Sequence, residues 1–207
     1  MRARDRIPII VLTGGPCGGK SSLMRELRAR DPQAERWLMV PEAAPLLFQA
    51  GLKAYDTSFQ RAVVRLQIAL EDACAEAAQP GQNLLCHRGT LDALAYWLHN
   101  GWDKETFSAC VGRTLEELLL RYDLVLHLQT VAIGAQENYR GWPEAHRPET
   151  LEQAQEIDSL CAHVWRQHPR FILIENAGQG WHSKVATAFE ALQNWFISGD
   201  SFLCRGQ

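Results

Sequence analysis

The sequence predicts a three-layer α/β protein built on a five-stranded, mostly parallel sheet, and three observations carry that expectation. Short, strongly apolar runs alternate with longer amphipathic ones, the rhythm of strands joined by covering helices. The apolar runs lack polar alternation, as strands buried on both faces should. The first run leads into Gly14-Gly-Pro-Cys-Gly-Gly-Lys-Ser21, whose G-x-x-x-x-G-K-[ST] spacing cradles phosphates between a strand and a helix.

Each element follows in order. Ile9–Thr13 is the first strand, and Ser21–Arg30 is the helix behind the glycine loop. The second strand, Trp37–Val40, runs into Pro41-Glu42. A long helix comes next, behind a Thr57/Ser58 cap signal and before Pro80-Gly81. Phe59, Val63, Leu66, Leu70, Ala73 and Ala77 recur there at spacings of three and four, which predicts that they face the core. The third strand, Asn83–Cys86, runs into His87-Arg-Gly-Thr-Leu-Asp92 and then Ala95-Tyr96. The fourth is Leu124–Leu128. Residues 131–148 hold Gly134, Arg140, Gly141, Trp142 and Arg147 and are long for a connection, which marks them as a functional lid or a disordered segment. Behind Pro148 a helix turns Ala154, Ile157, Cys161 and Val164 inward until His168-Pro169. The fifth strand, Phe171–Glu175, leads to Asn176-Ala-Gly178 and a last helix over about 183–198, with Val185, Ala188, Phe189, Leu192 and Trp195 inward. No repeat or linker interrupts the pattern, so 1–207 reads as a single nucleotide-binding domain.

Composition excludes several function classes. The 207 residues are 46% hydrophobic and 22% charged, with a net charge of −3. That balance argues against a nucleic-acid partner, which calls for a basic excess. No apolar run reaches 18 residues, so no membrane span is expected. The basic start, Met1-Arg-Ala-Arg, imitates a secretion signal, but the apolar run behind it is short, broken by Pro8 and ends in glycines; it reads as a strand. Six scattered cysteines contain no C-x-x-C, so free thiols and a reducing, cytoplasmic setting are expected. His163 and His168 stand five apart and do not share a helix face, which leaves no metal case among the histidines.

The chemistry sits in the glycine loop. Its glycines bring backbone N–H groups round a polyphosphate, and the helix behind it adds its positive end. Gly14, Gly15, Pro16, Cys17, Gly18, Gly19, Lys20, Ser21 and Ser22 are therefore the expected ATP (or GTP) phosphate site. Lys20 supplies a mobile cation, and the Ser21 hydroxyl is an expected Mg²⁺ ligand. Cys17 reads as a small loop filler, with a thiol made oxidisable by Lys20 and the helix end as the competing reading. Several nucleotide-site classes are absent from the sequence. There is no N-K-x-D, no D-x-x-G behind a strand, no L-S-G-G-Q and no strand ending in Asp-Glu.

Taken together with Pro41-Glu42, His87-Arg-Gly-Thr-Leu-Asp92, Arg140, Arg147 and Asn176-Ala-Gly178, the chain resembles the small P-loop proteins grouped as an AAA domain family. These are akin to the nicotinamide-riboside kinase module of bacterial NAD regulators and, more distantly, to deoxynucleoside kinases. The resemblance spans about 9–196. It implies a strand order with the second and third strands on one side of the first, which gathers Glu42, His87 and Arg88 at the γ-phosphate. It implies Glu42 as proton acceptor or water-mediated Mg²⁺ ligand, Arg88 as phosphate or substrate clamp, and Arg147, with Arg140 behind it, as lid arginine. It places Asn176 near the nucleotide base and gives Asp92 a supporting part. Where the family carries aspartate, this chain has His87, a poor ligand for a hard cation. Three readings follow: Glu42 alone orders the metal, His87 is itself a general base, or binding outlasts turnover. The implied function is Mg-dependent transfer of the ATP γ-phosphoryl group to a small hydroxylated, nucleoside-like acceptor. The competing function is an ATP- or GTP-binding switch with slow hydrolysis. The expected partner is the small-molecule phosphate acceptor; the oligomeric state stays open, with a homodimer among its options.

Overall fold

A computed structural model describes residues 6–54, 56–139, 149–176 and 180–201, with side chains to 197. Five strands form one sheet in the order β2-β3-β1-β4-β5: β1 Ile9–Thr13, β2 Trp37–Val40, β3 Asn83–His87, β4 Leu124–Leu128 and β5 Phe171–Ile174. Every pairing is parallel. β3 runs one residue beyond the expected Cys86 and β5 stops one residue before Glu175. The second and third strands do lie on one side of the first.

Alternation along each strand divides the core into two layers. Ile10 and Leu12 of β1, Leu85 of β3 and Leu126 of β4 face α1 (Lys20–Arg30) and α8 (Gly180–Ser201). Val11, Cys86 and Val125 face the opposite layer, formed by α3 (Thr57–Ala77), α4 (Asp92–His99) and α7 (Leu151–Trp165). Both faces of the central strands are thus dry, which is why their sequences carry no polar alternation. Between these elements lie α2 (Ala43–Gln49), α5 (Lys104–Val111) and α6 (Leu115–Leu119).

Helix ends follow local chemistry. α1 carries Arg28 and Arg30 in its last turn, where cations complement the dipole. α7 opens on a reciprocal capping box between Thr150 and Gln153, satisfying two orphan N–H groups. α3 is capped by Asp56, which accepts from Ser58 N and Phe59 N, rather than by Thr57 or Ser58.

The buried face of α3 is a correction to the sequence reading. Phe59 is buried, but its companions are Gln60, Val64, Gln67 and Glu71; Val63, Leu66 and Leu70 are half-buried and Ala73 and Ala77 exposed. On α7 the four expected residues are all buried, as are Val185, Ala188 and Leu192 on α8. Among the described residues, Cys17, Cys74, Cys86, Cys110 and Cys161 form no disulfide. None of the described helices is long and apolar enough to cross a membrane.

Candidate functional site

The glycine loop is pressed on to the end of β4. A Cβ on Gly14 or Gly18 would strike the Leu128 carbonyl oxygen, so no side chain fits at either position. Gly14 also has a φ of 121°, which glycine adopts without the usual steric cost. Thr130 Oγ1 donates to Pro16 O, and Asp158 Oδ1 of α7 accepts from Gly15 N at 2.7 Å and Thr130 N at 2.9 Å. Lys20 Nζ donates to Gly14 O and Gly15 O, both at 2.8 Å, folding its ammonium across the cradle. Cys17, half-buried, holds a positive φ of 57°; it fills the turn of the loop.

The strand order delivers the next residues. β2 ends beside β3, with Val40 opposite Cys86, and β3 ends beside β1, with His87 opposite Leu12. Glu42, two residues past β2, therefore meets the residues that close β3. It occupies the N-cap position of α2 but makes no side-chain cap there. Its carboxylate instead accepts from Arg88 Nε at 2.9 Å and lies 3.2 Å from His87 Nδ1. That last pair is out of line for a hydrogen bond.

Arg88 is the hub. Its φ of 65° is an uncommon backbone state for a side chain of this size. Nη1 donates to Gly14 O at 3.0 Å and Asp92 Oδ1 at 2.8 Å, and Nη2 to Tyr96 OH at 3.1 Å. Burial opposes its charge, but Tyr96, Glu42 and Asp92 face it and keep it firmly protonated. The Gln67 amide supports the strained residue from behind, donating to Arg88 O at 3.3 Å and to Glu71 at 2.9 Å. Asp92 is saturated: it also accepts from Thr13 Oγ1, Gly89 N and Trp165 Nε1. It positions Arg88 and has no lone pair left for a substrate.

His87 Nε2 lies 2.8 Å from Ser21 Oγ, so the imidazole stands between the two expected Mg²⁺ ligands. Burial pushes its pKa below the ordinary histidine value, against the pull of Glu42. An ion with oxygen contacts of about 2.1 Å does not touch Ser21 and Glu42 together across that ring. The fit is to a water-rich ion held directly by the exposed Ser21 hydroxyl and, through water, by Glu42. Among the described residues, no group of three or more His, Cys, Asp or Glu side chains forms a metal site.

Beyond Arg88 opens a cavity of about 280 Å³ between α2, α3, α4 and α7. Phe48 and Phe59 stack in its wall, centroids 4.9 Å apart. Arg88, Tyr96 and Gln153 line it, as does Gln60, which is 6% exposed. Among the described residues the Gln60 amide meets no hydrogen-bond partner. The sequence reading missed Gln60 and Gln67; their i, i+7 spacing beside Phe59 and Val64 was the available signal.

Asn176, expected near the base, braces two loops. Its Nδ2 donates to Thr130 O and Ile133 O, both at 2.7 Å, and its Oδ1 accepts from Lys184 at 2.9 Å. Ser22 sits in the first turn of α1, half-buried. Arg140, Trp142, Arg147 and Gly178 lie outside the described residues, as does the lid from 140 to 148.

Solved structures share this architecture. Thymidylate kinase from Candida albicans superposes with a TM-score of 0.67 at 15% identity, covering 91% of this chain and 92% of its own. Deoxyadenosine kinase from M. mycoides, solved with dCMP and dCDP, gives 0.64 at 14% identity over 90% of this chain and 99% of its own. The same enzyme with bound dATP gives 0.62 at 15%. These likenesses establish a P-loop kinase fold. No curated protein sequence matches. The model of the AAA domain family matches residues 9–181, and the chain belongs to that family.

Proposed function

We propose that this protein transfers the γ-phosphoryl group of ATP (or GTP), with Mg²⁺, to a hydroxyl of a small nucleoside-like acceptor. The observation that carries the reading is a cavity, lined by Gln60 and by stacked Phe48 and Phe59, that opens on Arg88 and Glu42. The Gln60 amide makes no hydrogen bond among the described residues and offers a donor and an acceptor to a ligand amide or ring nitrogen. Stacked Phe48 and Phe59 give a flat apolar wall suited to a planar ring.

In this reading Lys20 leaves the Gly14 and Gly15 carbonyls to meet the β- and γ-phosphates. Arg88, fixed by Asp92 and Tyr96, presents a rigid guanidinium to the developing charge. Arg147 is the proposed lid arginine, a role carried over from the family resemblance alone. Glu42 takes the proton of the acceptor hydroxyl as its oxygen bonds to phosphorus; the departing group is the nucleoside diphosphate. When bound, Mg²⁺ would neutralise phosphate charge from Ser21.

A screen of ADP release across nucleosides, nicotinamide riboside, sugars and pantothenate-like alcohols tests this, with Lys20→Ala as the control. Acceptor-dependent turnover well above the basal rate is expected. Slow turnover indifferent to every acceptor would sink the kinase and leave the nucleotide switch. One observation favours that second reading: His87 occupies the place of a carboxylate and already engages Ser21.

A further inference from the structure

The acceptor cavity lies over β2 and β3. A triphosphate threaded through the loop behind β1 with its γ end at Arg88 must therefore carry its base the other way, toward β4 and β5. On that side the first turn of α8 places one aromatic ring directly on the phosphate loop. A Cβ on Gly19 would run into the six-membered ring of Trp181, so the indole touches the loop one residue before Lys20.

Two features suit Trp181 to a ligand. Its indole N–H, like those of Trp102 and Trp195, makes no hydrogen bond among the described residues, and its ring, packed against the core layer under α1 and α8, is only half-buried. The helix that carries it is also fixed in place. Lys184, three residues on, is 5% exposed and donates to Gln129 O and to Asn176 Oδ1. Asn176 in turn holds Thr130 O and Ile133 O. A side chain whose backbone is anchored to β4 and β5 in this way loses little freedom when a ligand arrives.

We propose that Trp181 is the stacking platform for the purine of the bound nucleotide. The proposal rests on the nucleotide-binding half of the reading above and is independent of the acceptor. Stacking on an aromatic ring tolerates either purine, because every base presents a π face.

Titration calorimetry with two probes tests it: MgATP, which has a base, and inorganic tripolyphosphate with Mg²⁺, which has none. Trp181→Leu is expected to weaken MgATP by about tenfold or more, the range of one lost base–aromatic stack, and to leave tripolyphosphate unchanged. Trp181→Phe, which keeps a ring, is expected to stay within about threefold of the parent for MgATP. Equal weakening of both probes in Trp181→Leu would reduce the indole to a pad for Gly19 and overturn the proposal, and so would no weakening of either. Parent protein that binds tripolyphosphate and MgATP equally well would overturn the stack while leaving the phosphate site intact. Failure of the parent to bind either probe would defeat the nucleotide reading together with this one.

Discussion

His87 stands where the proposed Mg²⁺ would be held. Its ring is buried, with Ser21 Oγ 2.8 Å from Nε2 and Glu42 3.2 Å from Nδ1. Burial holds its pKa below the ordinary value, so at neutral pH the ring is uncharged. A neutral imidazole offers one donor and one acceptor and replaces little of what a carboxylate gives a water-rich Mg²⁺ site. His87→Asp is therefore expected to preserve or raise acceptor-dependent turnover, since Arg88, already facing Glu42 and Asp92, offsets much of the added negative charge. A fall of more than about tenfold in kcat with unchanged MgATP affinity would instead mean that the imidazole takes the acceptor proton. The position itself was legible in the sequence, because the departure from aspartate stands next to an unmistakable Arg-Gly. Its contact with Ser21 was not, since the two residues are 66 apart in the chain and meet only once β3 lies beside β1.

At the scale of elements, α8 carries a second titratable group worth measuring. Burial lowers the Lys184 pKa to about 8, against an ordinary value of about 10.4 in the unfolded chain. Between those values the unfolded state binds more protons than the folded one, so this residue makes stability rise with pH across roughly 8 to 10.4. Below pH 8 the buried ammonium carries its full desolvation cost. Urea midpoints from pH 7.5 to 10 should show this rise in the parent, on the order of 3 kcal/mol at its limit, and a flatter profile in Lys184→Met. Parallel profiles for the two proteins would rule the linkage out. The same element-scale view explains what sequence patterning read well and badly. Strands came through because apolar runs of four or five residues bounded by polar residues have one good solution in a covered sheet. The α7 face came through because its buried side is apolar apart from Asp158. The α3 face did not, because its buried side carries Gln67 and Glu71, whose partners Arg88, Arg121 and Tyr122 lie 21 to 51 residues away. Periodicity weights apolar side chains and has no means of seeing a buried polar network assembled from distant segments.

Across the whole molecule, the proposed acceptor cavity lies over β2 and β3 and the proposed base platform over β4 and β5, so in this reading one element must register both. α7 is placed to do so. Gln153 and Ile157 line the acceptor cavity, while Asp158, the next residue, holds Gly15 N of the phosphate loop and Thr130 N behind β4. Gln155 adds a bond to Ala132 O at 2.6 Å. The Asp158 carboxylate also faces the fully buried His127, 3.2 Å away. Burial alone would raise its pKa, but His127 and the two backbone N–H groups outweigh that and hold it below the ordinary carboxylate value. Its stabilisation is thus present above about pH 3.9 and fades as pH falls through the lower folded value. Asp158→Ala strands two buried N–H groups and a histidine, for an expected loss of about 3–5 kcal/mol. Asp158→Asn keeps an acceptor for Gly15 and should lose less, about 1–3 kcal/mol, with a flatter acid limb in its stability profile. If α7 transmits loop geometry as its position implies, Asp158→Asn also weakens tripolyphosphate binding, because Gly15 N is no longer held by a charge-assisted bond. Denaturation midpoints at pH 4 and pH 7, read beside tripolyphosphate titrations, separate the two effects. A variant that loses stability while binding tripolyphosphate as tightly as the parent would confine Asp158 to the core and leave the two halves of the site without this link.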